Sequence, residues 1–373
     1  STVVLLTHCF FSQLKFLNMK YVRILSRVFV GLVFIYSGFV KGIDPLGSTY
    51  KFEDYFTAFG VPSLEILAFP LSVLLSMIEF TLGFSLLLGL KIRISAWFNL
   101  VFMSFFTILT LILAVYNPVS DCGCFGDAII LTNWQTFWKN VIIMVPTIVI
   151  FFQRNRYEQK FSCLREWGLL GAFAMVLLIF SYYSYQHLPI LDFRPYKIGT
   201  DIIKGMEIPE DAPRDQYETV LYYEKNGEVK EFTIENYPAD DTTWEFVDSK
   251  SMIIEQGYIP PIHDFTIESP DGNDITDLIL EDEGYTFLLI SYNLETASTD
   301  NQEQINRISR AAKENGHEFI CMTSSLLPTI NNFKTIHNAD YDYYNTDEIT
   351  LKTIIRSNPG LVLIKNAVIL NKW

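Results

Sequence analysis

Five apolar runs, each close to the roughly 20 residues that cross a hydrocarbon core, constrain this chain more than any other feature. They fall at about 22–40, 64–90, 92–116, 134–152 and 167–185. A backbone inside a bilayer has no water to bond, so each run is expected to be a helix. Five crossings put the two chain ends on opposite sides. Basic residues in the short connections set the orientation. Lys15, Lys20, Arg23 and Arg27 flank or open the first run, Lys91 and Arg93 separate the second and third, and Arg154, Arg156, Lys160 and Arg165 separate the fourth and fifth. These groups share one side, expected to be the cytoplasm. The loop before the fourth run and everything after the fifth then lie outside, in the periplasm of a bacterial inner membrane.

A hydrophobic content of 50% beside a net charge of -14 is odd for one soluble domain. Cutting the chain near Pro189 resolves it. Residues 1–189 hold 13 Lys and Arg against 9 Asp and Glu, a net +4, and residues 190–373 hold 15 against 33, a net -18. The first half has the lipid bilayer as its partner, and the second is an acidic soluble part. Nothing in that part neutralises phosphates in number, which argues against nucleic acid. Residues 1–18 precede Met19-Lys20, whose basic flank marks the expected start of translation. They are read as an upstream extension, and His8 and Cys9 then carry no function.

Between the third and fourth runs stands Asp121-Cys122-Gly123-Cys124-Phe125-Gly126-Asp127. Two thiols one residue apart can close a small ring, and Gly123 permits the backbone angles that the ring needs. A strained, exposed disulfide is readily reduced, so Cys122 and Cys124 are candidates for redox exchange. The alternative is a surface turn whose cysteines staple the loop or hold a metal, although no metal-ligand set is assigned. Asp121 and Asp127 favour that alternative, since nearby negative charge lowers the thiolate fraction. Cys163 falls on the reducing side and cannot pair with the loop. Cys321, inside Phe319-Ile320-Cys321-Met322, reads as a small hydrophobe in a buried strand.

Glu79 is read as the one ionisable residue well inside a span. Its burial demands a partner in the bundle interior. The functional reading is a proton or quinone site, and the bland one a hydrogen bond to Ser, Thr or Tyr. Counting at about 1.5 Å per residue from position 64 puts Glu79 about 20 Å deep, far from the thiols. Residues 50–59 place aromatics beside Lys51, Glu53 and Asp54, which fits an interfacial helix or a plain connection.

These residues together resemble the DoxX/MauE group of small four-helix membrane proteins. The resemblance is carried by Ser37-Gly38-Phe39-Val40-Lys41-Gly42-Ile43-Asp44-Pro45, by Glu79 followed by Gly83 and Gly89, and by Cys122-Gly123-Cys124-Phe125-Gly126-Asp127. It covers about residues 20–152, and it implies a redox-associated role with quinone as the cofactor to consider. Lys41, Asp44, Gly123, Phe125 and Gly126 are the positions it assigns to structure. The fifth span and the outer half resemble longer Bacteroidetes-type members with an appended thioredoxin-like module.

In the outer half, 217–223 and 228–234 alternate around Lys225-Asn226-Gly227, a strong hairpin signal. Residues 190–258 are read as a small β-rich connecting element. Residues 259–373 repeat strand and helix: strands at 265–268, 285–292, 318–323, 361–365 and 367–370, helices at 301–315, 328–336 and 347–356. This pattern resembles the thioredoxin fold, whose proline before the closing hairpin is typically cis and lines the active site. Pro359 matches it. The place of that fold's Cys-x-x-Cys reads Ser291-Tyr292-Asn293-Leu294-Glu295-Thr296-Ala297-Ser298. No cysteine is present, so the module is expected to bind or dock rather than to exchange disulfides.

The expected architecture is a four-helix membrane domain at 19–155, a fifth transmembrane helix at 156–189, the β element, and a thioredoxin-like module. Two functions are expected. The first is thiol-disulfide exchange at the periplasmic Cys-Gly-Cys loop with a protein client, linked to quinone. The second is a non-enzymatic scaffold or assembly factor whose module grips a periplasmic partner.

Overall fold

The structure is a computed structural model that describes residues 2–158, 161–214, 216–239, 241–255 and 257–373, with side chains from residue 19 onward except those of 252–255. Lys15, Lys160, His8 and Cys9 therefore lie outside the described side chains. The chain divides into two compact units, Ser1–Arg194 and Pro195–Trp373.

The first unit is helical. Helix α1 (Thr2–Ile43) turns sharply into α2 (Pro45–Ala58), a 3-10 turn covers Pro62–Leu67, and α3 (Ala68–Leu88), α4 (Ile92–Tyr116), α5 (Asn133–Phe152) and α6 (Cys163–Gln186) follow. Among the described residues, five stretches are long and apolar enough to cross a membrane: Met19–Ile43, Pro62–Leu88, Ile92–Tyr116, Asn133–Phe152 and Cys163–Gln186. All five expected spans are therefore present, and this is a multi-pass membrane protein. Val30, Phe34, Leu86, Met103, Ile143 and Ile150 form its inner core. Phe105, Ile108 and Ile142 stand exposed on the face that lipid covers.

Helices α1 and α3 touch through glycine. A Cβ on Gly38 would stand 2.5 Å from the Phe80 amide nitrogen, and one on Gly83 would stand 2.6 Å from that of Ile35. Apolar side chains gain little by leaving lipid for a helix interface, so close backbone packing holds such pairs together. Ser37 and Lys41 are four residues apart and share the face that this contact turns toward α3.

The connection at residues 50–59 is helical and starts earlier than expected. Asp44 caps α2 by accepting from the Gly47 amide at 3.0 Å, and Pro45 occupies the first turn, where its missing N–H costs nothing. Thr49 and Ser72 then join α2 to α3, oxygen to oxygen at 3.0 Å. On α5, Asn140 donates to Thr110 at 3.1 Å and so ties it to α4. At the opposite end of the bundle, Lys91 pairs with the buried Glu166 at 3.2 Å and donates to Cys163 Sγ at 3.0 Å.

In the second unit, α7 (Ile202–Met206) precedes a three-stranded antiparallel sheet of β1 (Gln216–Lys225), β2 (Glu228–Thr233) and β3 (Glu245–Glu255), in the order β2-β1-β3. The expected hairpin is present, with Asn226 and Gly227 both at positive φ, as the preferred two-residue turn requires. The module contains α8 (Thr276–Leu280), β4 (Thr286–Ile290), α9 (Gln302–Glu314), β5 (Glu318–Thr323), α10 (Leu327–His337), β6 (Asp342–Asn345), α11 (Glu348–Ile354), β7 (Gly360–Lys365) and β8 (Val368–Lys372). Its sheet runs β6-β5-β4-β7-β8. The β4/β5 and β5/β6 pairs are parallel, and β4/β7 and β7/β8 are antiparallel. Parallel strands followed by an antiparallel hairpin give the thioredoxin-like order. Residues 199–202 lie along β8, with the Gly199 amide donating to the Ile369 carbonyl at 2.7 Å. The expected strand at 265–268 is reduced to bridges at Glu268, because the chain turns at once to pair with Asp274 and Asn345. Strands β3 and β6 were not expected.

A Gly38→Ala change should lower the thermal stability of the full chain in lipid nanodiscs by about 1–3 kcal/mol, the usual cost of overpacking, because backbone rather than a flexible side chain meets the new methyl. Gly171→Ala, which meets nothing within 4 Å, is the control and should be neutral or slightly stabilising. Equal effects at the two positions would contradict the close α1–α3 contact.

Candidate functional site

The loop 117–132 is anchored at its neck by Asn133, whose amide donates to Asn117 Oδ1 at 2.7 Å and to the Val119 carbonyl at 2.8 Å. From there it folds into the helical bundle. Asp121 accepts from the Gly123 amide at 2.8 Å and pairs with Lys51 of α2 at 2.7 Å. Gly123 and Gly126 have φ of 65° and 52°, which other residues adopt only at a cost. Tyr55 donates to the Cys122 carbonyl at 2.9 Å. Burial pushes its hydroxyl far above the ordinary tyrosine range, so it stays a donor. Phe125 packs edge-on against Tyr36 at 5.6 Å between ring centres, and the Lys139 ammonium lies 4.3 Å from its ring. Asp44 serves as the α2 cap and lines a small pocket with Gly126 and Asp127 of the loop.

The two sulfurs are 3.1 Å apart, and Cys122 is buried. The thiol hydrogen bond from Cys122 holds Cys124 below the ordinary thiol range, helped by the positive charges of Lys139 and Lys41 and opposed by burial. The same bond and burial push Cys122 up. One member of the pair is thus poised as a thiolate, and the other keeps its proton. The aspartates do not set this balance: Asp121 is turned toward Lys51, and lysines face the sulfurs. That corrects the expectation drawn from Asp121.

The larger correction concerns Glu79. Ser37 Oγ lies 2.8 Å from Glu79 Oε2 and 2.7 Å from the Cys124 carbonyl oxygen, so a single serine connects the carboxyl to the thiol loop. Counting residues along the helix failed because the loop dips into the bundle and α2, not α1, flanks the first turns of α3. Glu79 also has a charged partner: Lys41 Nζ stands 2.6 Å from Oε2 and 2.7 Å from Oε1, with both side chains buried. The expected polar partner is present as Ser37, and the lysine was not foreseen.

Cys122, Cys124, Lys41, Ser37 and Glu79 line one end of a cavity of about 540 Å³. Its walls are apolar, with Leu74 and Ile78 from α3 facing Phe102, Phe105 and Phe106 from α4. Ser85 and Ser95 tie these two helices near their junction. Exposed Phe59, Leu74 and Phe105 border the cleft where lipid would lie. Lys139 and Asn140 of α5 complete the polar end. Sequence reasoning missed Lys139, although a lone lysine in an otherwise apolar run was the available signal.

Residues 19–153 match the family model described as methylamine utilisation protein MauE. The membrane region is MauE-like. The match ends before α6, and residues 217–256 match a domain of unknown function, DUF8463. A solved structure from Bacteroides thetaiotaomicron, provisionally assigned as a protein disulfide isomerase, shares 17% identity over 30% of this chain and 74% of its own, with a TM-score of 0.25. No curated protein matches the chain. The thioredoxin-like assignment of the module rests on its strand order. In that module the Asn358-Pro359 bond is cis, and Asn358 donates to the Asn293 carbonyl at 2.7 Å, so Pro359 adjoins the cysteine-free segment as expected. Cys321 is fully buried, and burial raises its thiol. Among the described residues of this site and module, Cys122 and Cys124 of the MauE-like loop therefore remain the candidate thiol pair.

Because Lys139 favours the charged form of Cys124, Lys139→Met should leave more of that sulfur protonated near pH 7. Alkylation of Cys124 in the reduced protein should slow by about three- to tenfold, the size of a shift of half a unit to one unit. The slowing should vanish well above the ordinary thiol range. Unchanged labelling across pH would contradict the electrostatic role given to Lys139.

Proposed function

We propose that this chain is a redox component of a bacterial inner membrane in which Cys122 and Cys124 exchange a disulfide with thiols of a periplasmic protein. The observation that carries this reading is the pair of sulfurs 3.1 Å apart at the polar end of an apolar cleft. Orientation by the basic connections puts the loop on the outer face, where disulfides persist. The MauE-like region and the thioredoxin-like module both support a redox-associated role.

The exchange balances as follows. A client thiolate attacks the Cys122 sulfur of the loop disulfide, and Cys124 leaves as the thiolate, the better leaving group because its environment favours the anion. The second client thiolate then attacks the client sulfur of the mixed disulfide. Cys122 leaves and takes a proton. The client has lost two electrons, and the loop has gained them.

Return of the loop to its disulfide needs an acceptor. The lining fits a quinone: Phe102, Phe105, Phe106 and Ile78 offer an apolar slot for a ring and its tail, and the ammonium groups of Lys41 and Lys139 offer donors for ring oxygens. When bound, a quinone supplies a two-electron, two-proton sink. The thioredoxin-like module has no thiol at its usual reactive position, which leaves it a binding role toward the client.

In a Cys124→Ser variant, Cys122 has no resolving partner. It should accumulate mixed disulfides with clients that appear as reducible higher bands on non-reducing gels of cell membranes. Full cellular function with no trapped partner would contradict the proposal and favour a scaffold whose outer module binds and whose loop cysteines only staple.

A further inference from the structure

Ser37 has one hydroxyl hydrogen, yet its oxygen faces two acceptors, Glu79 Oε2 at 2.8 Å and the Cys124 carbonyl at 2.7 Å. With Glu79 ionised, the hydroxyl serves one acceptor and leaves the other contact without a hydrogen. With a proton on Oε2, Glu79 donates to Ser37, Ser37 donates to Cys124, and both contacts are made. The same side chains fit both states, and they differ by one proton. Lys41 contacts both carboxyl oxygens and also favours the Cys124 thiolate, whereas an ionised Glu79 disfavours it. One ammonium can therefore neutralise a single negative charge placed on either group. Among the described residues that line this cleft, the other charged or titratable groups are Lys139 from α5, Cys122 in the loop, and Lys51 and Tyr55 from α2, with Asp121 paired to Lys51 beside them.

We propose that, when the loop disulfide is reduced, the second proton goes to Glu79 rather than to Cys124, which stays a thiolate. The proposal rests on the redox reading of the loop. Reduction of the disulfide then consumes two electrons and two protons and yields a Cys122 thiol, a Cys124 thiolate and a protonated Glu79. The negative charge moves from the carboxylate to the sulfur while Lys41, in contact with Glu79, acts on both by its charge, so the buried site keeps a constant charge. That constancy matters in a bilayer, where an added uncompensated charge is costly. Re-oxidation releases both protons beside the cleft, one from Cys122 and one from Glu79, and a two-electron acceptor of quinone type needs two protons.

The test uses the full chain in lipid nanodiscs with dithiothreitol as reductant and no quinone. The reduced-minus-oxidised infrared spectrum should gain the carbonyl band of a protonated carboxylic acid, lowered in D2O. Glu79→Asp should keep a shifted band, and Glu79→Gln should lose it. If Glu79→Gln does not fold, Lys41→Met/Glu79→Leu replaces the ion pair by apolar groups, a change that folds tolerate well, and it should also lack the band. Absence of the band in the native chain, or its survival without Glu79, would overturn the proposal, because a merely structural ion pair leaves Glu79 ionised throughout. Loss of the band with client trapping intact overturns this inference alone. Failure of trapping with the band intact overturns the client exchange instead.

Discussion

An ion pair that has left water must be nearly fully satisfied, and in this protein that requirement falls on Lys41 and Glu79. Each charge alone would cost several kcal/mol in the apolar interior. Together, with Ser37 as a third partner, they are held by three short contacts. Meeting that geometry fixes the register of α1 against α3, and the glycines at 38 and 83 let the backbones approach closely enough. It also fixes the thiol loop, since Ser37 reaches the Cys124 carbonyl from the same spot. Removing one charge and leaving the other buried would therefore disturb the helix pair, the loop and the end of the cleft together.

The sequence carried the parts of the fold that are local. Span lengths follow from continuous apolar runs, and 92–116 coincides with Ile92–Tyr116. Asn226-Gly227 announces its own turn, and 318–323 is a buried apolar run that coincides with β5. Edge strands were less visible. In β3 the run Asp248-Ser249-Lys250-Ser251 shows no alternation because both faces are wet, and β6 is only Asp342–Asn345. The site was legible as residue types but not as a constellation. Cys122, Cys124 and Glu79 declare themselves by chemistry, whereas their proximity depends on how far a loop descends into a bundle. Lys41 and Lys139 look like flank and interface lysines until α3 and Phe125 are placed beside them.

The candidate thiols and the cysteine-free module are divided along the chain. The thiols, the paired charges and the apolar cleft belong to the MauE-like region, while the thioredoxin-like unit keeps its sheet and its cis proline without a reactive cysteine. A buried thiol pair at the polar end of an apolar cleft suits the proposed exchange better than it suits a staple. A two-cysteine ring across one residue removes little chain entropy and so stabilises little.

The most direct measurement is the redox state of Cys122 and Cys124 in isolated membranes, read by differential alkylation and mass spectrometry after reduction and then after addition of a short-chain quinone. The account predicts two alkylatable thiols after reduction and a disulfide once the quinone is added, with Cys163 unchanged. Loop cysteines that ignore both additions, or that the quinone leaves reduced, would contradict it.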